Sequence, residues 1–430
     1  MDRATDRVLP ILFAAALVVH APALATNDAD DGQGPNGETP AEAAVELVQF
    51  FPEDPPDPRR AYEGLEKRIG DLEDIHGDLA LGGAAWINFE RSNFKDGQTD
   101  RGGDVFLDLF RVEARGSRGP WEVSAQYRSY DFMDIVHHAW IGYDTATAGR
   151  LQAGISQVPF GLRPFASHSY WFGMPYYVGL EDDYQAGVKY LQDFGDWSLQ
   201  AAYFPNPGTV NASSPNRYPF QVVTDPDNDQ FNRQNDQLNF RLLRDVFQDT
   251  AVPTELGVSL QGGRLYNEAT ERHGDHRALG LHTRTRFGTE REWKLELQWA
   301  DYRFSPENPE GVADDTVQLG AFGARHRVAA EGELEVINIA RDLVWAPGAV
   351  DGITCYLDYS RLNKRPAAWE DSELRTLGCS VAAGPTFTFI DIIQGRNSPF
   401  LNVAGDTALA EGLPSPDRET RFNISLGIYF

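Results

Sequence analysis

From residue 78 to the C-terminus the chain repeats one unit. A segment of roughly ten to thirteen residues alternates apolar and polar side chains, and a connector rich in Gly, Pro, Asn and Asp follows. A period of two is the strand period, and it sorts side chains onto two faces. The predicted strands are 78–90, 104–115, 121–130, 134–144, 149–157, 184–192, 196–204, 235–246, 253–264, 275–287, 291–303, 315–326, 330–340, 352–361, 373–382 and 419–430, which makes sixteen. A further apolar run, 386–394, either extends the fifteenth strand or stands alone. An even count is kept because single-chain bacterial barrels are even-stranded.

Connector length follows parity. The long connectors include 158–183 and 205–234; the short ones include 116–120, 145–148, 193–195, 288–290 and 327–329, with 131–133 out of character. Long loops at one end and short turns at the other describe an outer-membrane barrel. A soluble all-β chain has no reason to separate them. The predicted fold is therefore an all-β transmembrane antiparallel barrel of about sixteen strands over 78–430.

The strand faces agree. In the last strand Phe422, Ile424, Leu426, Ile428 and Phe430 share one face, and Arg421, Asn423, Ser425, Gly427 and Tyr429 share the other. In 121–130, Trp121, Val123, Ala125 and Tyr127 oppose Glu122, Ser124, Gln126 and Arg128. In 149–157, Leu151, Ala153 and Ile155 oppose Arg150, Gln152, Gly154 and Ser156. In 291–303, Trp293, Leu295, Leu297 and Trp299 oppose Lys294, Glu296 and Gln298. Aromatics that bracket aliphatics suit the two interfacial girdles of a lipid-facing wall.

The N-terminus predicts export. Arg3 and Arg7 precede an apolar run, Val8 to Val19, and Ala23-Leu24-Ala25 supplies small residues for cleavage. Residues 1–25 thus read as a signal peptide too short to span as a helix. Residues 26–60 are an acidic, Pro-rich linker. Residues 61–77 are a short helical or coiled-coil segment, with Tyr62, Leu65, Ile69 and Leu72 on one seam. Such a seam gains stability only if a trimer brings copies together. The formal net charge of -26 argues against nucleic acid as a partner. Cys355 and Cys379 face an oxidising compartment, where a pair and two free thiols are both open.

Sixteen strands are expected to enclose a water channel rather than a packed core. Alternation turns Arg111, Arg115, Arg128, Arg150, Lys189, Arg241, Arg284, Arg286 and Lys294 inward, together with Glu113, Glu122 and Glu296. Arginine rings favour anions, and their forks suit phosphate or carboxylate. The alternative is that these cations pair with the inward carboxylates and only hold the wall. The connector 158–183 carries Phe160, Phe165, Trp171, Phe172, Tyr176 and Tyr177, too apolar for a solvated loop. It is expected to fold into the lumen and set the narrowest point, with Arg163 facing the path near Arg128 and Arg150.

Val158-Pro159-Phe160-Gly161 after a short Gly-containing strand, then Tyr184-Gln185-Ala186-Gly187-Val188-Lys189-Tyr190, resembles the family of phosphate-selective porins O and P. The stretch Arg111 to Asp131 is also similar, and the terminal Phe430 resembles the C-terminal signal of bacterial outer-membrane barrels. The resemblance covers roughly 78–204 and the last strand. It implies a homotrimer in the bacterial outer membrane, passing small anions or other small solutes past an inward-folded third external loop. The family's phosphate-selective members use a lysine cluster; this chain has only Lys67, Lys95, Lys189, Lys294 and Lys364 and does not reproduce it.

The expected function is passive diffusion of small solutes with some anion preference. A general or carbohydrate porin is the alternative, then a barrel enzyme or an envelope-tethering protein. No cofactor, metal ligand or catalytic residue is assigned. His137 and His138 are expected on opposite strand faces, unable to share a metal. His273-Gly274-Asp275-His276 reads as a solvated loop, and Ser167-His168 lacks a nucleophile elbow.

Overall fold

The computed structural model describes residues 78–208, 213–343, 348–401 and 405–430. The leader, the acidic linker and the helical seam read from the sequence lie outside the described residues. Nineteen strands are present among those residues: β1 (Asp78–Ser92), β2 (Asp104–Arg118), β3 (Trp121–Tyr130), β4 (Asp134–Asp144), β5 (Arg150–Gln157), β6 (Tyr184–Phe194), β7 (Trp197–Phe204), β8 (Gln221–Val222), β9 (Asn232–Val246), β10 (Thr254–Asn267), β11 (Arg272–Phe287), β12 (Trp293–Ser305), β13 (Thr316–Ala321), β14 (Ala324–Ala329), β15 (Glu331–Leu343), β16 (Gly352–Lys364), β17 (Ser372–Ala383), β18 (Thr386–Arg396) and β19 (Glu419–Tyr429). Sixteen of them close into one antiparallel ring, and β8, β13 and β14 form a separate three-stranded sheet. Closure leaves no unpaired edge, which is what a lipid environment demands.

The wall departs from the sequence reading in one strand. Residues 315–326 do not span. They fold into β13 and β14, each six residues long, joined through Phe322 and Gly323, both at positive φ. A transmembrane strand needs roughly nine to eleven residues. All six residues of β13 are buried, so it has no exposed face to offer lipid. The sixteenth wall strand is instead the run at 386–394, extended to β18. The expected short turn at 327–329 is therefore part of one long connector, 306–330. The strands β15, β16 and β17 consequently run opposite to the sense that parity implied.

Connector length separates by end with three exceptions, the third being 365–371, seven residues at the long-connector end. Residues 119–120, 145–149, 195–196, 288–292 and 384–385 turn at one end. At the other end lie 158–183, 205–231, 306–330 and 397–418, but also the brief 131–133 and 268–271.

The wall's outer face is apolar. Leu151, Val188, Leu238, Ile337 and Leu377 are exposed, as are Ile428 and Phe430 at the end of the chain, while Phe422, Ile424 and Leu426 on the same face of β19 are half-buried and the residues between them are buried. At the short-turn end aromatic pairs mark a girdle, with Trp121 against Tyr143 at 4.7 Å and Phe287 against Trp293 at 6.1 Å. Cys355 and Cys379 stand directly opposite in β16 and β17 and form a disulfide on the face shared by Leu357 and Leu377.

Candidate functional site in the barrel lumen

The 158–183 connector begins at β5, and β16 lies eight strands away whichever way the ring is followed. Yet His168 donates its backbone N–H to Asp358 of β16 at 2.6 Å, and Met174 donates to Ser360 Oγ at 2.9 Å. Along the way Gly161 N–H meets Ser259 of β10 at 3.0 Å, Leu162 N–H meets Gln298 of β12 at 2.7 Å, and Asn338 of β15 donates to Ala166 O at 3.0 Å. A segment tied to the inward side chains of four distant strands crosses the ring. Its Val-Pro-Phe-Gly start has a local cause: Gly161 adopts φ +61°, and a Cβ there would lie 2.5 Å from Gln298 Oε1. A one-turn helix, α2 (Met174–Tyr177), seats four buried residues in the middle of the crossing; α1 is the other short helix, Asp96–Asp100.

The long-connector end is not open water. One apolar cluster joins Phe160, Met174, Tyr176 and Leu180 of the crossing segment with Val222, Val317, Leu319 and Val328 of the small sheet. Leu265, Leu334, Leu374 and Ile393 of the wall complete it. The expectation of a lumen without a packed core is thus corrected. Connectors this apolar bury their own side chains inside the mouth instead of exposing them.

The inward cations fall into three groups. Lys189, Arg241 and Arg284 hold the crossing segment. Lys189 donates to Gln157 O at 2.9 Å, Arg241 to Gly161 O at 2.8 Å and Arg284 to Arg163 O at 3.0 Å. Arg284 also pairs with Glu296 at 2.6 Å, and Lys294 approaches the same carboxylate at 3.8 Å. Arg163 turns to Gln157 at 2.7 Å and to Gln200 at 2.7 Å rather than toward Arg128 and Arg150. Arg150 and Arg286 sit near the short-turn end in ion pairs, Arg150 with Asp144 and Glu122, Arg286 with Asp342 at 3.2 Å. Arg115 lies on the inward face of β2 one step short of Glu113, with Ser124 opposite it. Arg111 and Arg128 form the third group.

Those two arginines face a cavity of about 570 Å³ between the crossing segment and the sector of wall made by β18, β19, β1, β2 and β3. Its lining runs from Phe132 and Phe400 at the long-connector end to Phe387 and Tyr429 near the other. Trp86 is central, stacked on Tyr170 at 5.1 Å and on Phe389 at 5.9 Å. Arg111 lies over the Tyr429 ring at 5.2 Å and Arg128 over Tyr218 at 4.7 Å. Arg421 also lines it, paired with Glu90 at 3.0 Å and stacked over Trp171 at 4.4 Å. The sequence reading left Arg421 out of the site although it had placed it on the polar face; the parity of β19 was the signal available. The inward aromatics Trp86, Phe387 and Phe389 were not foreseen either.

Two histidine expectations change. His137 and His138 both point inward, with their Nδ1 atoms 3.1 Å apart. A bulge opposite Gln126 and Tyr127 leaves His137 without a pairing partner in β3, which breaks the alternation. The 273–276 stretch belongs to β11 rather than a loop, with His276 buried and His273 exposed. No group of three or more potential metal ligands occurs among the described residues. Ser167, His168 and Asp358 meet, but not as a hydrolytic triad. Ser167 Oγ bonds Trp171 O and Asp358, and His168 Nε2 faces Glu296 at 3.4 Å instead of the serine.

The crossing segment ends in three buried acids. Burial pushes the Glu181 carboxyl up to about 8 and that of Asp183 up to about 7, against donors such as Ala166 N–H and Gln185 that favour the charged form. A raised carboxyl contributes stability that is complete below the ordinary carboxylate range and lost as pH rises through the folded value. Between pH 6 and 9 the segment should therefore loosen, and single-channel conductance in planar bilayers should rise and grow noisier. Glu181→Gln with Asp183→Asn should flatten that dependence. A conductance that is constant across this range in the unmodified protein would contradict the assignment.

No family model matches the chain, and no curated protein matches it. Solved structures do share its fold. An anion-selective porin from Comamonas acidovorans superposes with a TM-score of 0.53 at 12% identity, over 82% of this chain and 99% of that one. A loop-deletion form of OmpT, an outer membrane protein of Vibrio cholerae, gives 0.52 at 14% identity, over 82% and 99%. OmpF of Salmonella typhi, solved with daunomycin, gives 0.52 at 10% identity, over 82% and 97%. The chain has the sixteen-stranded barrel fold of bacterial outer-membrane porins.

Proposed function

We propose that this protein is a porin of the bacterial outer membrane that lets small solutes diffuse passively, with a preference for anions of the phosphate or carboxylate kind. The observation that carries this reading is the pair Arg111 and Arg128. Both face the lumen cavity, and neither makes an ion pair among the described residues. Fixed positive charge in a confined passage favours anions, because screening there is weak. Arg150, Arg241, Arg284, Arg286 and Lys294 are bonded to the crossing segment or to carboxylates, Lys189 is bonded to Gln157 O where that segment begins, and Arg115 does not line the cavity, so these cations weigh less in this argument. The resemblance to phosphate-selective porins supports a porin, but this chain does not reproduce that family's lysine cluster, so the anion preference rests on the arginines alone. In this reading the crossing segment sets the narrowest point, residues 1–25 direct export, 26–60 link, and 61–77 help three barrels associate. A trimer form of OmpT is among the structures with this fold.

A general or carbohydrate porin is the second reading, favoured by the aromatic lining around Trp86. Reversal potentials in a KCl gradient separate the two. Anion preference is expected, and Arg111→Ser with Arg128→Ser should move the potential toward the cation side by several-fold in permeability ratio. A potential that does not change in the double variant would assign these arginines to the wall and leave the general porin.

A further inference from the structure

We infer that the lumen cavity is a saturable binding site for an aromatic carboxylate, its anionic group held at Arg111 and Arg128 and its ring against the Trp86 platform. This rests on the porin reading for how the solute arrives, but not for whether it binds.

The charge argument comes from register. Arg111 of β2 and Arg128 of β3 are direct cross-strand partners, both turned inward. Like charges in that position destabilise a sheet unless something neutralises them. Among the described residues no carboxylate forms a close ion pair with either, and Asp108 and Asp182 act on Arg128 only at longer range. Arg128 Nε is taken by Gln126 at 2.7 Å, and Arg111 Nε is buried with no hydrogen-bond partner. Glu90 is paired with Arg421, and Asp108 accepts the neutral Tyr170 hydroxyl, so the lining holds three guanidiniums against two carboxylates. The unmatched charge in the cavity is positive, and two guanidinium forks side by side suit a planar carboxylate.

The shape argument comes from the rings. Trp86 carries Tyr170 and Phe389 stacked at 5.1 and 5.9 Å and Tyr429 edge-on at 6.0 Å. Trp86 is itself only 5% exposed, so a flat ring entering this set would gain its offset-stacking contacts on the half-buried Tyr170, Phe387 and Phe389 that Trp86 holds in place. Acetate or phosphate would leave that surface unused. The volume of about 570 Å³ suits a molecule of that size.

The test is calorimetric titration of the full chain in detergent with sodium benzoate, acetate, phosphate and maltose, alongside current block in planar bilayers. Benzoate should bind saturably, at least tenfold tighter than acetate or phosphate. Arg111→Ser with Arg128→Ser should lose tenfold or more for benzoate. Trp86→Leu should erase the preference for benzoate over acetate while keeping anion binding. Far-UV circular dichroism checks folding. If the serine pair does not fold, Arg111→Lys with Arg128→Lys keeps the charge, loses the forks, and should still weaken benzoate several-fold. Equal binding of benzoate and acetate, tighter binding of maltose or phosphate, or benzoate binding indifferent to both arginine variants overturns the inference. Benzoate binding without any ionic current would sink the porin reading and leave the site standing. Current without benzoate preference would do the reverse.

Discussion

Replacing residues 165–178 with a short Gly-Ser link should raise single-channel conductance roughly twofold or more, because pore conductance follows the narrowest cross-section. That stretch carries the two bonds to β16 that pull the segment across the ring, from His168 to Asp358 and from Met174 to Ser360. It also carries Trp171, Phe172 and Tyr176, whose rings fill the space beside Trp86. Without them Asp358 and Ser360 become water-lined wall groups, which is an ordinary state for inward polar residues of a wide barrel. The wall does not depend on this stretch for its ladder, so the barrel should still assemble. It should be less heat-resistant, since the apolar cluster at the mouth loses several members. A conductance equal to or below that of the intact protein would mean that the small sheet and the 397–418 connector set the constriction instead.

Deleting Phe430 should lower the amount of barrel in the outer membrane tenfold or more, while protein already folded loses only about 1–3 kcal/mol. The structural part is visible at the seam where the last strand meets the first. Gly83 N–H donates to Phe430 O at 2.9 Å and Phe430 N–H donates to Gly83 O at 3.1 Å. The Phe430 ring stacks on Phe110 at 5.9 Å and covers Gly83, where a Cβ would fall 2.5 Å from a ring carbon. Loss of two bonds and one partly exposed ring is a modest cost for a closed ladder. The larger defect in cells would come from losing the C-terminal signal that the last strand resembles. Quantitative immunoblots of outer-membrane fractions, compared with thermal melts of refolded protein, separate the two effects. Equal membrane levels of the truncated and full chains would remove the signal role.

Much of the wall was readable because a lipid-facing barrel is written in local alternation. The bounds of β3 and β4 coincide with the sequence reading, and the lipid face of β19 is the one that alternation assigns. Where the reading failed, a local signal had more than one meaning. The run 315–326 has strand composition whether it lies in a wall or in a plug, and only its burial on both faces distinguishes them. The run 386–394 could extend the fifteenth strand or stand alone, and it falls outside the count only because 315–326 already makes the number even; it forms β18. His137 and His138 misled because one bulge shifts the face of every residue beyond it.

By itself the sequence determined the β-class, the closed membrane-facing wall, fifteen of its sixteen strands, and most of the side chains that face lipid. These depend on a period of two and on connector lengths, both of which are local. Only the tertiary structure decided what fills the ring. Alternation marks a cation as inward but cannot tell whether it lines a passage or fastens a segment, because that depends on partners 80 to 121 residues away. Arg241 bonding Gly161 and Arg284 bonding Arg163 are such pairs. Arg111 and Arg128 keep their charge facing the cavity for the complementary reason: the crossing segment is fastened to the wall on the far side of the ring, and the two carboxylates of their sector, Glu90 and Asp108, are engaged by Arg421 and the Tyr170 hydroxyl.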